Sequence, residues 1–430
     1  MKTTPVQRAG RRALALVQQR NVASGVAVAL ISTMVVVAAV QADGTKATNM
    51  QLDDGSVWVS NQNQQLVGRL NVRVDELDLA VAAGASADVL QLGRDVAFTG
   101  NVGGVLKMDV INGQPSGGKN TINFPDYQLN GGIATLFDSA SGELWVGSSS
   151  ALVGADFPDK PDAQLEAGSR VVLTAATGSG PSARGKVIIV GPTSWFELEL
   201  DDNFKPVREP QPEPAATDGS AVTTTVAAAP DGTVPDEPEP IKEPRPKSLT
   251  TPIDEATSVT AVGDLLVFLK ADGSLFSTDG KVATVPGEGA VLQQAGAKNR
   301  SVLVASSAGL FQVSIGSDTV KQLAEASGTP ARPVRVGPCV FGAWSGAKPT
   351  WFKACSGDVV TPVSPIPNAA ADSVLVYRVN QRNVALNSLG DGGVWADHDG
   401  KLAQVGNWND ASAQQQQQDN TNTGQATRQA

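Results

Sequence analysis

Short stretches of alternating apolar and polar residues recur along most of the chain. The first follows an Asp-Gly turn, where Val57 and Val59 occupy one face of a predicted strand and Trp58 occupies the other. A second strand, with Leu66 and Leu70, follows after a polar turn. Both faces of this hairpin carry apolar side chains, and an isolated hairpin is marginally stable in water. We therefore expect neighbouring sheets to pack against both faces.

Apart from the longer interval that contains residues 208–247, hairpins of this kind recur roughly every 30 to 50 residues, which is in the range of a four-stranded propeller blade. The apolar strands that mark the repeated units lie at residues 57–59, 88–93, 134–138, 170–174, 265–269, 301–305, 339–344 and 373–378. No stretch of comparable length shows the 3.6-residue apolar period of an amphipathic helix. The pattern predicts an all-β fold, a β-propeller of seven or eight blades over residues 50–408, because radial closure protects sheet edges. Two smaller β domains are the alternative.

Two segments break this pattern. Residues 208–247 are rich in Pro, Glu, Ala and Thr, and we expect no packed element there, because proline lacks an amide donor and the charges resist burial. We interpret this segment as an insertion between blades, or as the linker between two β domains. Residues 409–430 are rich in Gln and almost free of apolar side chains, which predicts a disordered tail.

The N-terminal region predicts export and a membrane anchor. A basic segment at residues 1–21 precedes residues 22–42, which contain no charged side chain. At about 1.5 Å per residue, this apolar stretch spans the roughly 30 Å hydrocarbon core of a bilayer. The basic residues before it predict a cytoplasmic N-terminus and an extracytoplasmic main part. We interpret it as an uncleaved transmembrane signal anchor, and cleavage after Ala42 is the alternative.

The net charge and the cysteine content limit the kinds of partner and cofactor that we expect. The formal net charge is −10, which argues against a nucleic-acid partner because such a partner needs a basic face. Cys339 and Cys355 end two apolar strands joined by a short turn, so a hairpin places the two sulfurs opposite each other. An exported chain permits the disulfide that we expect there, and two free thiols are the alternative. With one histidine and no further cysteine, no metal or other cofactor is expected.

No catalytic constellation is readable in the sequence. His398 stands alone in a predicted turn, and no Gly-x-Ser-x-Gly elbow accompanies it. Glu197 and Glu199 lie on one predicted strand, whereas a glycosidase needs two carboxyl groups about 5–10 Å apart on facing elements. Most tryptophans are expected to pack between blades. Trp408, beyond the last predicted strand, is the candidate ligand-facing aromatic residue.

The order of these parts resembles a family of large actinobacterial membrane-anchored envelope proteins. That family has a basic N-terminus, one membrane span, a propeller-like region and downstream immunoglobulin-like or fibronectin type III modules. The motifs that carry the resemblance are Asp54-Gly55-Ser56-Val57-Trp58-Val59, Pro338-Cys339-Val340-Phe341-Gly342-Ala343-Trp344 with Cys355, Asp391-Gly392-Gly393-Val394-Trp395, and Asn407-Trp408-Asn409-Asp410. No such modules follow here, so the resemblance implies a short member or the N-terminal part of a longer product. It implies a cell-envelope role and no established catalysis.

These observations predict a membrane-anchored extracytoplasmic propeller that acts as a scaffold for an envelope protein or a wall polymer. The alternatives are a propeller hydrolase or lyase that acts on cell-wall glycan, and a structural spacer. Facing carboxylates and an aromatic platform in the central channel favour the enzyme. A channel lined by small and apolar residues favours the scaffold.

Overall fold

The computed structural model describes residues 55–413, apart from short interior gaps and from residues 208–246 and 249–255. The predicted membrane span at residues 22–42 and most of the predicted tail lie outside the described residues. In the part that is described, no helix combines the length and the apolar character needed to cross a bilayer.

Antiparallel strands dominate the described chain and form eight sheets, which follow one another in sequence. The first four sheets contain β1 (Val57–Asn61), β2 (Leu66–Asn71) and β3 (Glu76–Ala82); β4 (Val89–Leu92), β5 (Asp95–Thr99), β6 (Val105–Asp109) and β7 (Gln114–Ser116); β8 (Asp126–Asn130), β9 (Ile133–Asp138), β10 (Glu143–Ser148) and β11 (Ala163–Gln164); and β12 (Arg170–Leu173), β13 (Val187–Val190), β14 (Ser194–Leu198) and β15 (Lys247–Ser248). A one-turn helix, α1 (Ser149–Leu152), follows β10.

The remaining four sheets continue the same order. They contain β16 (Ala256–Val262), β17 (Leu265–Lys270), β18 (Ser274–Ser277) and β19 (Gly280–Thr284); β20 (Val291–Leu292), β21 (Ser301–Ser306), β22 (Gly309–Ser314) and β23 (Val320–Ala324); β24 (Thr329–Pro330), β25 (Val334–Val336), β26 (Cys339–Ser345), β27 (Thr350–Cys355) and β28 (Ser364–Pro365); and β29 (Leu375–Asn380), β30 (Asn383–Ser388), β31 (Val394–His398) and β32 (Lys401–Val405).

The sheets are the blades of one closed ring, and we number the blades in sequence order, from blade 1 (β1–β3) and blade 2 (β4–β7) to blade 8 (β29–β32). The first strands of consecutive blades contact each other from β4 through β8, β12, β16 and β20, and β1 contacts both β4 and β29. Blade 1 therefore meets blade 2 on one side and blade 8 on the other. The predicted all-β propeller is confirmed, the number of blades is eight, and the alternative of two separate β domains is wrong.

Apolar clusters fill the space between neighbouring blades, as the two-faced strands predict. Val57 and Val59 pack against Ala396 of blade 8, whereas Trp58 on the opposite face packs against Phe98 of blade 2. Each of the other blade pairs shares a comparable cluster of buried aliphatic and aromatic side chains. Burial of both strand faces thus depends on the ring as a whole, because no blade covers its own faces.

The predicted disulfide between Cys339 and Cys355 is confirmed. The two residues are register partners at the open end of the β26–β27 ladder, beyond the pairs that Phe341 and Ala343 make with Lys353 and Trp351. The bond therefore closes the hairpin at the end opposite its turn.

Replacement of both cysteines by serine is expected to lower the free energy of unfolding by about 3 kcal/mol. The bond closes a loop of about 15 residues, and its loss raises the conformational entropy of the unfolded chain. Urea unfolding of the double variant and of the reduced wild type measures this effect, and the two should agree. A double variant as stable as the oxidised wild type would contradict the prediction.

The expectations about the position of the insertion and the start of the tail need correction. The insertion at residues 208–247 lies within a blade instead of between blades, because Trp195 of β14 pairs with Lys247 of β15 in the same sheet. Because β15 has only two residues and lies beside prolines, it is too short to show an alternation of apolar and polar side chains. The predicted tail from residue 409 also begins as ordered structure, since residues 408–413 are helical and Ala411 is 1% exposed. Residues 414–430 lie outside the described chain.

Candidate functional site

A cavity of about 610 Å³ lies where the first strands of the blades converge on the ring axis. Its wall is formed by residues of β1, β4, β8, β12, β16 and β29 and by the segments that follow β20 and β24. Among the described residues, four charged side chains line this central channel, namely Asp126, Arg170, Arg332 and Arg378. The volume is that of a site for a small molecule.

The first strand of each blade is a sheet edge, so its outward backbone groups need partners other than a strand. Side chains from neighbouring blades supply them. Gln128 of β8 donates from Nε2 to the Val171 carbonyl at 2.7 Å, and its Oε1 accepts from the Leu173 amide at 3.2 Å. One amide side chain thus occupies the place of a neighbouring strand beside β12.

Two guanidinium groups and a further amide make similar contacts around the channel. Arg170 donates to the Ala256 carbonyl at 2.8 Å, and Gln294 donates to the Tyr377 carbonyl at 3.1 Å. Arg378 donates to the Val89 carbonyl at 2.8 Å and also pairs with Asp88. These bonds connect β12 to β16, the segment after β20 to β29, and β29 to β4, so polar side chains hold the inner strands together.

The edge of β1 is held by amide side chains from both neighbouring blades. Gln91 accepts from the Trp58 amide and donates to the Ser56 carbonyl, each at 3.0 Å. Asn387 accepts from the Ser60 amide at 2.9 Å and donates to the Ser60 carbonyl at 3.0 Å. Blade 1, which has three strands in the described chain, is therefore bound by side-chain amides to blade 2 and to blade 8.

The segment after β32 completes the closure on the outer side of blade 1. Asn407 accepts from the Leu77 amide and donates to the Leu77 carbonyl, each at 2.9 Å. Trp408 donates from Nε1 to the Gly392 carbonyl at 2.8 Å. Its ring lies so close to Gly68 that a Cβ there would be 2.8 Å from Cζ3, which explains the glycine.

The expectation of an exposed, ligand-facing Trp408 is therefore wrong. Its side chain is 5% exposed and belongs to the cluster between blades 8 and 1. After β32 the chain turns back over blade 1 and buries Trp408 there. A position outside the predicted strands gives no indication of such a contact.

Asp126 and Arg332 act on each other across the channel without forming a direct ion pair. Burial raises the pKa of Asp126, and a hydrogen bond from Gln128 and the charge of Arg332 oppose this rise. Burial likewise lowers the pKa of Arg332, and Asp126 opposes that change. Both side chains are exposed to the channel, so the surrounding walls desolvate them while water still reaches them.

The other candidate residues of the sequence lie away from the channel lining. Glu197 of β14 pairs with Lys186 at 2.9 Å, and Glu199 is exposed. His398 does not stand alone in a turn but ends β31, where its Nε2 lies 2.5 Å from Oδ1 of Asp75 in blade 1. Within the described residues, no group of three or more His, Cys, Asp or Glu side chains is placed to hold a metal ion.

Sequence reasoning missed the amide side chains that hold the inner strands of the ring. An isolated Gln128 or Asn387 in a strand has the appearance of an ordinary solvent-facing residue, and no spacing rule signals its role. The one signal is a polar side chain that directly follows an apolar stretch within a strand, as Asn387 follows Val384, Ala385 and Leu386.

Comparisons with known proteins bear little on the function. No protein-family model matches the chain, and no match was found among curated proteins. Similar solved structures include the computationally designed Ika8 protein, with 11% identity and a TM-score of 0.46 over 80% of this chain and 97% of that one. BamB from Moraxella catarrhalis has 12% identity and a TM-score of 0.42, with 80% and 91% covered.

AztD from Citrobacter koseri is a third similar structure, with 10% identity and a TM-score of 0.34 over 72% of this chain and 89% of that one. At these low values no function is transferred from any of the three proteins. The functional conclusion must therefore come from the channel and from the chemistry of its lining residues.

Proposed function

We propose that the chain is a membrane-anchored extracytoplasmic β-propeller that serves as a binding scaffold in the bacterial envelope, for another envelope protein or for a wall polymer. The observation that carries this proposal is the polar lining of the channel, which among the described residues holds one carboxylate, Asp126, and three guanidinium groups, of which only that of Arg332 is not bonded to a neighbouring strand. This lining differs from the small, apolar one that was expected of a scaffold. A guanidinium group binds ligands through directional hydrogen bonds. The glycan hydrolase alternative, which needs two carboxyl groups, gains no support from this lining.

Two further features support the proposed location. Residues 22–42 have the length and composition of a single membrane span, preceded by basic residues. The bond between Cys339 and Cys355 is typical of proteins that fold outside the reducing cytoplasm. The resemblance to actinobacterial envelope proteins points to the same compartment.

The proposed topology is tested by labelling intact cells with a membrane-impermeant amine reagent. Lys321 of β23 and Lys401 of β32 are exposed in the propeller, so both are expected to react in intact cells, with the protein in the membrane fraction. Reaction of these lysines only after lysis would contradict an extracytoplasmic propeller.

The binding role is tested by incubating the purified full chain with isolated wall material and with solubilised membranes of the same cells. A partner that also binds the wild-type chain when purified alone, with one defined stoichiometry, is the expected result. Absence of saturable binding to either fraction would contradict the scaffold role.

A further inference from the structure

We infer that the channel binds a small anionic ligand that carries a carboxylate or phosphate group, and that Arg332 is the residue that receives this group. The inference deepens the proposed binding role, on which it rests, by naming a ligand class for the channel itself. It follows from the charge balance of the lining, from the exposure of Arg332 and from the size of the cavity.

The charge balance of the channel is opposite to that of the whole chain. The chain has a formal net charge of −10, yet the lining holds three arginines and one aspartate. Arg378 is neutralised by Asp88, whereas no described residue forms an ion pair with Arg170 or Arg332. Two uncompensated guanidinium groups therefore face Asp126, which leaves the cavity positive.

Arg332 differs from the other arginines of the channel because its donors have no acceptor in the part of the chain that the structure describes. Arg170 and Arg378 donate to backbone carbonyls of neighbouring strands. No described residue accepts a hydrogen bond from Arg332, and its side chain is exposed to the channel. A guanidinium group offers planar, paired donors that match the two oxygens of a carboxylate or a phosphate.

The walls of the channel strengthen any charge interaction at this position. Burial in the channel lowers the pKa of Arg332, and a charge in such a cleft attracts a counter-ion more strongly than a charge on an open surface. A cavity of about 610 Å³ accommodates a small molecule but not a folded domain. The partner of Arg332 is thus a small anion or an anionic group that extends into the channel.

Asp126 leads to a second expectation about anion binding in the channel. Its carboxylate is the negative charge that acts on Arg332 and opposes an incoming anion. Removal of this charge is expected to strengthen anion binding. A zwitterionic ligand would instead use Asp126 for its ammonium group.

The test is calorimetric titration of the full chain in detergent with inorganic phosphate and, separately, with citrate. The variants are Arg332→Gln, Asp126→Asn and Arg73→Gln, the last being a charge-matched control at an exposed turn between β2 and β3. We expect one site in the wild type, about tenfold weaker binding in Arg332→Gln, tighter binding in Asp126→Asn and wild-type affinity in Arg73→Gln.

Three results would overturn the inference. They are no saturable binding of either probe to the wild type, equal weakening by Arg332→Gln and Arg73→Gln, and weaker binding in Asp126→Asn. The thermal midpoint of each variant, measured in parallel, shows that the propeller is folded. Loss of anion binding with retained capture of an envelope partner counts against the inference alone, whereas loss of capture with retained anion binding counts against the proposed scaffold role alone.

Discussion

Replacement of Asn387 by leucine is expected to lower the free energy of unfolding by about 2–5 kcal/mol. Asn387 and Ser60 are both fully buried, and the amide side chain satisfies the Ser60 amide and the Ser60 carbonyl together. Leucine has a similar volume, so the cost arises from two buried backbone groups without partners, each of which costs about 1–3 kcal/mol. Urea unfolding followed by tryptophan fluorescence measures the change.

Asn63→Leu is the matched control for this variant. Asn63 lies in the turn after β1, is exposed, and leaves the Ser60 contacts untouched. Its replacement is expected to change the stability by less than about 0.5 kcal/mol, as is usual for surface positions. A cost for Asn387→Leu no larger than that of Asn63→Leu would show that the amide does not hold blade 1 to blade 8.

Replacement of Trp408 by alanine is the second large effect, with an expected loss of about 3–5 kcal/mol. The indole is 5% exposed, packs in the cluster that joins blade 8 to blade 1, and donates to the Gly392 carbonyl. Alanine removes the contacts with Gly68 and leaves a cavity at the closure of the ring. Chemical unfolding by circular dichroism measures the loss.

Trp408→Phe separates packing from hydrogen bonding at this position. Phenylalanine keeps much of the apolar contact and removes the Nε1 donor, so we expect a loss of about 1 kcal/mol. A ligand-facing role makes the opposite prediction, because an exposed aromatic residue contributes little to stability. Wild-type stability of Trp408→Ala would therefore contradict the buried position of Trp408 and restore that role.

The repeat and the two apolar faces of its strands could be predicted from the sequence because they are local properties. Val57, Trp58 and Val59 alternate between two apolar faces, and the structure places those faces against two different blades. The pairing of Cys339 with Cys355 was readable for the same reason, since one hairpin contains both residues. The insertion was misplaced because its returning strand is two residues long, too short for any periodic signal.

The central channel and the closure of the ring could not be predicted from the sequence, because they depend on contacts between residues that are distant in sequence. Ser60 and Asn387 are 327 positions apart, and their contact exists only when blade 8 reaches blade 1. Asp126 and Arg332 likewise face each other only across the completed ring. Neither residue lies in a motif, so their shared location follows from the eight-fold arrangement and from nothing in their local sequence.

Amide hydrogen exchange at Trp58 and Ser60 tests the central claim most directly, namely that side-chain amides bind the free edge of β1 and close the ring. Both amides point away from β2, and the structure bonds them to Gln91 and Asn387. We predict that they exchange as slowly as the β1 amides that face β2, and that Asn387→Leu releases Ser60 before Trp58. Exchange of both amides at the rate of exposed turns in the wild type would contradict the account.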